Sequence, residues 1–393
     1  MGSPLRVGMI GVGNISGQYL EHLPHFDSLE LVAVADLDRS RAASTAAAHG
    51  VRALDVEELL ASPDIDAVLN LTIPAAHVDV ALRALAAGKH VYSEKPFGLT
   101  TASALELVAP RADGLRVGSA PDTVLGTGVQ TARRALDDGL IGDPVGASVH
   151  WSSAGHERWH PSPAFYYQPG GGPLFDMGPY YLTSLVTLFG PVVRVAGFAG
   201  RSSRLRRVEQ GPQAGSPVPV DVDTHVTALL EHANGATSTV VVSFEIWATK
   251  TPLFEVYGTS GTLLMPDPNQ FSDSVSAWTV DDPEWRTVVA SAGYRDAGRG
   301  VGLADMAAAI SQGTPHRASG ELAFHVLEIM EAVLAASAER RVVELSSTVG
   351  RPAAVPLRDL DSASWRSQLS KLGFQSDRGT DFYPRPLIDG HPR

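Results

Sequence analysis

The sequence predicts an α/β unit followed by an α+β unit, and three features carry that prediction. Over the first third of the chain, short apolar runs alternate with helical patterns, the rhythm of βα units on a parallel sheet. From about Pro144, longer runs of alternating character take over, several joined by turn-forming residues, which implies a largely antiparallel sheet. The 393 residues supply material for about two cores. The expected division is residues 1–122 and 123–393, with a Pro-, Ser- and Asp-rich surface tail from about residue 350.

In the first unit, LRVGMI at 5–10 has the continuous apolar character of a buried strand, followed by a Gly-rich turn and a helix to about Leu23. LELVAVAD at 29–36 is a second strand, and RSRAASTAAAHG is a helix closed by Gly50. DAVLNLTIP at 66–74 predicts a strand, AAHVDVALRALAAG a helix ending at Gly88, and HVYSEKP a strand that enters a loop. TTASALELVAPRA predicts a further helix and LRVGSAP the last strand of the unit. After a linking helix, GVQTARRALDDG, the strands are VGASVHWSS, VVRVAGFAG, DTHVTALLEH, GATSTVVVSFEIW and LFEVYG. EHANGAT carries an Asn-Gly hairpin signal, and YGTSGT supplies a second turn. GVGLADMAAAISQG and GELAFHVLEIMEAVLAASAERR return to helical pattern.

Composition narrows the function classes. The net charge of −12 lacks the basic excess that phosphate-backbone binding requires, so nucleic acid is not expected as a partner. The absence of cysteine excludes disulfides, thiolate metal sites and a cysteine nucleophile. MGSP leads straight into LRVGMIGVG without a basic region and long apolar core, and no apolar stretch approaches membrane-spanning length. The expectation is a cytoplasmic protein with no membrane partner. Only four lysines occur, Lys89, Lys95, Lys250 and Lys371, so their placement is informative.

GVGNIS at 11–16 follows the first strand and opens a helix, which is the position of a dinucleotide fingerprint. Gly11 serves the tight turn and Gly13 the close approach of a pyrophosphate, with Asn14 and Ile15 beside it at the helix N-terminus. Ser16 stands where the third glycine of the pattern falls. Asp36 ends the second strand, placed to accept hydrogen bonds from the adenosine ribose. Asp36 and Asp38 would repel a 2′-phosphate, so NAD is expected as cofactor over NADP. Lys95, in SEKPFG, stands where a strand meets a loop, and ligands of doubly wound sheets bind outside the carboxyl ends of strands.

In order along the chain, GVGNIS, AVAD, EKP, GLIGDPVG, GGGPLFDMGPYYL and YGTSGTL resemble the Gfo/Idh/MocA family of nicotinamide-dependent oxidoreductases, from about residue 5 to residue 345. The resemblance implies an N-terminal Rossmann domain, a C-terminal domain on an open antiparallel sheet, and an active site between them. It implies that Lys95 contacts the nicotinamide ribose and the reacting hydroxyl, and that Thr72, Pro74, His77 and Glu94 lie near the cofactor. The family's D-x-G-x-H pattern falls on Asp176 to Tyr180, with tyrosine in place of histidine. Tyr180 is therefore the candidate acid/base, with Tyr181 as its competitor. A free phenol ionises too weakly at neutral pH, but a lysine ammonium and a positive nicotinamide ring favour the phenolate. Asp176 is expected to orient Lys95 or to bind a second substrate hydroxyl. APDTVLG replaces the family's Arg-aromatic-x-Pro element, so no substrate contacts are carried over there. A bare sheet face, together with the resemblance, implies a homodimer or homotetramer.

HERWH at 156–160 has the letters of a zinc-protease motif, which requires both histidines on one helical face. The strand-like ASVHWSS before it, Gly155, and Pro161 after His160 argue against that helix, and no metal is expected. His156, Trp159, His160, Tyr166 and Tyr167 instead offer polar tips and flat faces suited to a polyhydroxylated ring. The alternative is that these aromatics pack a domain interface and the histidines cap loops. The function expected is hydride transfer between a secondary hydroxyl of a sugar, cyclitol or related polyol and NAD. Two alternatives stand beside it: a redox-neutral elimination, epimerisation or glycoside cleavage through a keto-sugar, and a non-catalytic NAD-binding sensor.

Overall fold

A computed structural model describes residues 3–359 of the chain. The first unit is a parallel sheet of β1 (Leu5–Ile10), β2 (Leu29–Ala35), β3 (Arg52–Ala53), β4 (Ala67–Asn70), β5 (His90–Ser93) and β6 (Val117–Ser119), in the order β3-β2-β1-β4-β5-β6. The strand order reverses between β1 and β4, which places a ligand crevice at the carboxyl ends of those strands. Helices α1 (Ser16–His22), α2 (Arg39–His49), α3 (Val56–Ala61), α4 (His77–Ala86) and α5 (Thr101–Ala104) make the crossovers. Local sequence sets their ends. Asp38 caps α2 by accepting from Ser40 and Arg41, Gly50 closes it at φ 68°, and Asp55 and Glu58 form a capping box on α3.

Two expectations shift, and one helix was not expected. The strand predicted over 66–74 stops at Asn70, whose amide donates to the carbonyl of His77 and whose Oδ1 accepts from the Thr72 hydroxyl, so the chain turns. The helix predicted over TTASALELVAPRA is a single α turn followed by a 3-10 turn at Leu105–Val108, ended before Pro110. An 18-residue helix, unread in the sequence because Pro173, Gly178 and Pro179 interrupt its pattern, spans Gly172–Phe189.

The second unit begins with α6 (Thr127–Asp137) and β7 (Pro144–Ser152), and that long helix is α7 (Gly172–Phe189). There follow β8 (Val192–Gly200), β9 (Arg206–Arg207), β10 (Pro217–Val218), β11 (His225–His232), β12 (Thr237–Ser243), β13 (Phe254–Gly258), β14 (Gly261–Leu264), β15 (Val275–Thr279), β16 (Arg286–Val288) and β17 (Tyr294–Arg295). Helices α8 (Val301–Gln312) and α9 (Gly320–Glu339), then β18 (Val343–Glu344) and β19 (Arg358–Asp359), complete the described chain. Nine strands form one sheet, β16-β15-β14-β13-β7-β12-β11-β8-β18, in which β7 and β12 run parallel and the other pairs are antiparallel. Helices α7 and α9 pack on one face of it. The other face is bare and carries Phe198 and Leu229, 76% and 56% exposed.

The second unit also returns to the first, since Val301, Leu303 and Met306 of α8 share a core with Val7, Met9, Tyr19 and Val34. Residues 350–359 lie over α6 and β17, with Val355 buried and its N–H donating to Gln130. The remainder of the expected tail, with Lys371, lies outside the described residues. Among the described residues, no helix is long and apolar enough to cross a membrane.

Candidate active site

The turn after β5 is built around Glu94. Its Oε1 accepts the Tyr19 hydroxyl proton at 2.7 Å, and its Oε2 accepts the Lys95 N–H at 2.9 Å. This ties the turn to α1 and sends the Lys95 side chain toward α7. There Lys95 Nζ donates to Asp176 Oδ1 at 3.0 Å and to the Asp176 carbonyl at 2.7 Å. Burial opposes the ammonium, but Asp176, Tyr180 and Glu94 outweigh it and hold the proton above the ordinary lysine range. Burial likewise opposes the Asp176 carboxylate, yet Lys95 and His156 draw its pKa down to about 2. The pair is therefore a fixed ammonium and a fixed carboxylate.

Asp176 and Tyr180 are one turn apart on α7 and share its face. Lys95 Nζ stands 5.3 Å from the Tyr180 ring centroid. The two candidate phenols separate cleanly. Tyr181 turns into the core, where its hydroxyl donates to Asp267 at 3.2 Å and burial followed by Asp267 pushes its pKa far up.

The loop 153–168 supplies the opposite wall. His156 donates from Nε2 to Asp176 Oδ2 at 2.8 Å, and the Trp159 indole donates to His156 Nδ1 at 3.1 Å. The indole can only donate, so the imidazole proton sits on Nε2. Tyr166 lies 4.3 Å from the His156 ring, and Trp159, His160 and Phe165 extend the aromatic wall outward. Tyr167 departs from the expected pocket. It is fully buried, donates to Glu157 and accepts from the His156 N–H, so its hydroxyl is committed behind the wall. HERWH lies in a 3-10 turn at His156–Arg158, and His160 Nδ1 accepts from the Ser162 N–H. Among the described residues no cluster of three His, Cys, Asp or Glu could hold a metal.

The residues expected at the cofactor fit a dinucleotide. At Gly11, φ 95°, a Cβ would sit 2.6 Å from the Leu71 carbonyl oxygen, whereas at Gly13 it would meet nothing within 4 Å. The turn is closed on its inner side and open where a pyrophosphate needs room. Asn14 is exposed, Ile15 half-buried, and no side chain caps α1. Asp36 accepts from the N–H groups of Val12 and Asp38 at 2.8 and 2.9 Å, which leaves further lone pairs for ribose hydroxyls. Thr72 and Pro74 lie on the half-buried loop after β4. Two residues are committed inward: Glu94, as described, and His77. The His77 ring nitrogens face the carbonyls of Pro96 and Thr72 at 2.8 and 2.9 Å, so it braces two loops from behind.

Two residues of the site went unread in the sequence. Arg299, between β17 and α8, donates from Nη2 to the Tyr180 hydroxyl oxygen at 3.1 Å. Asp122, in the APDTVLG element from which no contact was expected, is fully buried and accepts from the N–H groups of Gly300 and Gly302. A lone Arg between glycines carries no signal, and its partners are distant in sequence.

Comparison with known proteins agrees with this fold. Residues 5–114 match the oxidoreductase family with an NAD-binding Rossmann fold, and residues 129–264 match the GFO/IDH/MocA C-terminal domain. Trans-1,2-dihydrobenzene-1,2-diol dehydrogenase of Bos taurus is 30% identical over 270 residues, 67% of this chain and 75% of that protein. D-apiose dehydrogenase of Paraburkholderia graminis is 27% identical over 371 residues, 88% and 91% of the two chains. An NAD-binding oxidoreductase from Klebsiella pneumoniae shares the fold, with a TM-score of 0.77 at 23% identity over 88% of this chain and all of that one. The chain belongs to the Gfo/Idh/MocA family of NAD-binding oxidoreductases.

Proposed function

We propose that the protein is an NAD-dependent dehydrogenase that oxidises a secondary hydroxyl of a sugar, cyclitol or related polyol. Tyr180 serves as acid/base, Lys95 as a fixed cation at the reacting oxygen, and Asp176 as the residue that orients Lys95 and His156. The observation that carries this reading is the convergence of Lys95 on the face of α7 that bears Asp176 and Tyr180.

Oxidising a carbinol removes a proton from oxygen and a hydride from carbon. NAD, when bound, supplies the hydride acceptor. Lys95 is held protonated by Asp176 and so cannot take the hydroxyl proton; it donates to the substrate oxygen and stabilises its developing charge. The proton passes to Tyr180. The cations near the cleft already have carboxylates beside them, Lys95 with Asp176 and Arg299 with Asp122 at 3.6 Å, which favours a neutral polyol over an acid. Trp159, Phe165 and Tyr166 offer flat faces to the C–H side of a ring. Asp36 supports NAD over NADP, because its carboxylate repels a 2′-phosphate.

The test is NADH formation when the protein and NAD are offered a panel of sugars, inositols and glycosides. Steady turnover with one class is expected, with kcat falling roughly 10²–10⁴-fold in Tyr180→Phe and comparably in Lys95→Ala. Substrate consumed without net NADH would instead favour the redox-neutral alternative, and NAD binding with no substrate consumed would favour the sensor.

A further inference from the structure

We infer that Arg299 is the positioning residue of Tyr180: it holds the phenol oxygen at the cleft and stabilises the negative charge that oxygen carries when it takes the proton of a substrate hydroxyl. This rests on the dehydrogenase reading above. Arg299 is buried on the turn between β17 and α8, and Asp122 grips that turn by accepting from Gly300 and Gly302 at 2.8 and 3.2 Å. The guanidinium reaches across to α7, where Nη2 donates to Tyr180 Oη at 3.1 Å and to Asn269 Oδ1 at 3.2 Å.

Two features argue that stability is not what this arginine serves. Its Nε and Nη1 have no hydrogen-bond acceptor, and the nearby Asp122 Oδ1 also lacks a donor, the pair standing 3.6 Å apart. A buried pair so poorly matched contributes less to stability than apolar side chains filling both places would. What it does achieve is electrostatic. Guanidinium and ammonium groups only donate, so neither Arg299 nor Lys95 can accept the Tyr180 proton.

Of the neighbouring carboxylates, only Asp122 Oδ1 is without a donor, and it faces the guanidinium at 3.6 Å. Asp176 is held by Lys95 and His156, Glu94 by Tyr19 and the Lys95 N–H, and Asp122 Oδ2 by the turn. The flanking phenols Tyr166 and Tyr181 are held protonated, burial pushing Tyr166 up to about 12. In oxidation the substrate hydroxyl therefore gives its proton to the Tyr180 phenolate, whose charge the guanidinium stabilises until then; in the reverse reduction the phenol returns that proton to the substrate oxygen.

The experiment compares Arg299→Met and Arg299→Lys with the unmodified full chain, measuring kcat, KM and the pH profile of polyol oxidation alongside thermal unfolding. The expected result for Arg299→Met is a loss of roughly 10²–10³-fold in kcat. KM for NAD and polyol should change little, and the acidic limb of the profile should move to higher pH. Thermal stability should fall, because Asp122 loses its buried cation, but Arg299→Lys should recover at least about tenfold of the lost rate. Should Arg299→Met not fold, Arg299→Gln, which keeps polar contacts without the charge, takes its place. A neutral variant with unaltered kcat and pH profile would overturn the inference. So would a rate loss that tracks lowered stability and is not recovered by lysine. If the unmodified protein reduces no NAD with any polyol, the dehydrogenase reading fails and this inference falls with it. Turnover by the unmodified protein with no effect at Arg299 removes the inference alone.

Discussion

Asp176 carries two obligations with one side chain, one oxygen on Lys95 and the other on His156. Its pKa is drawn from 3.8 to about 2. Between those values the unfolded chain binds more protons than the folded one. Its contribution to stability is therefore fully present above about pH 4 and is lost as pH falls through about 2. Two pKa units correspond to roughly 2–3 kcal/mol. Urea unfolding of Asp176→Asn should show that much less acid sensitivity between pH 5 and pH 2, with kcat lowered because Lys95 and His156 lose their common anchor. An unchanged acid profile would count against the charge pair. At this scale, what could be read from the sequence was what short motifs carry. Lys95 follows from E-K-P, and Asp176 and Tyr180 from a short pattern on one segment. Arg299 could not be found that way, because its contact with Tyr180 spans 119 residues and exists only through the fold. Tyr167 misled for the opposite reason, since an aromatic beside the site in sequence turned its hydroxyl away from it.

Among the elements, the wall loop 153–168 depends on a strut that takes no part in chemistry. Glu157 and Arg206 are both almost fully buried and pair at 2.8 Å, and Arg206 also bonds Glu245 at 2.8 Å and the Phe244 carbonyl at 3.0 Å. Arg206→Met would leave Glu157 with the half-buried Arg204 as its remaining cation. Removing one partner of a buried pair typically costs about 3–5 kcal/mol. Denaturant unfolding of Arg206→Met should register a loss of that order, together with faster proteolysis within 153–168. A loss below about 1 kcal/mol would show that the strut is dispensable. Strands β1 and β8 and helices α8 and α9 could be read from the sequence nearly to their ends. Helix α7, which carries the site, could not, because prolines at 173 and 179 look like breaks while tertiary packing overrides them.

Viewed whole, the molecule leaves one face of a nine-stranded sheet uncovered, with Phe198, Leu229 and Leu264 exposed on it. A contiguous bare face with apolar side chains is unfavourable in water and expects a cover. A second copy meeting it face to face would bury it symmetrically. Phe198→Asp should shift sedimentation toward monomer while leaving the fold intact by circular dichroism. An unmodified protein that is monomeric at all concentrations would remove this expectation. The two-unit plan was readable from the change in periodicity near Pro144. The return of α8 to the core of the first unit was not, because a helix pattern does not state which sheet it packs on.

The most direct test of the central claim follows the hydrogen itself. A polyol that turns over is prepared with deuterium on the reacting carbon and offered with NAD. The account predicts that deuterium accumulates in the reduced nicotinamide at the rate of product formation, and that Tyr180→Phe slows this by roughly 10²–10⁴-fold. Deuterium retained in the sugar product with no net reduced cofactor, or transfer at full rate in Tyr180→Phe, would contradict it.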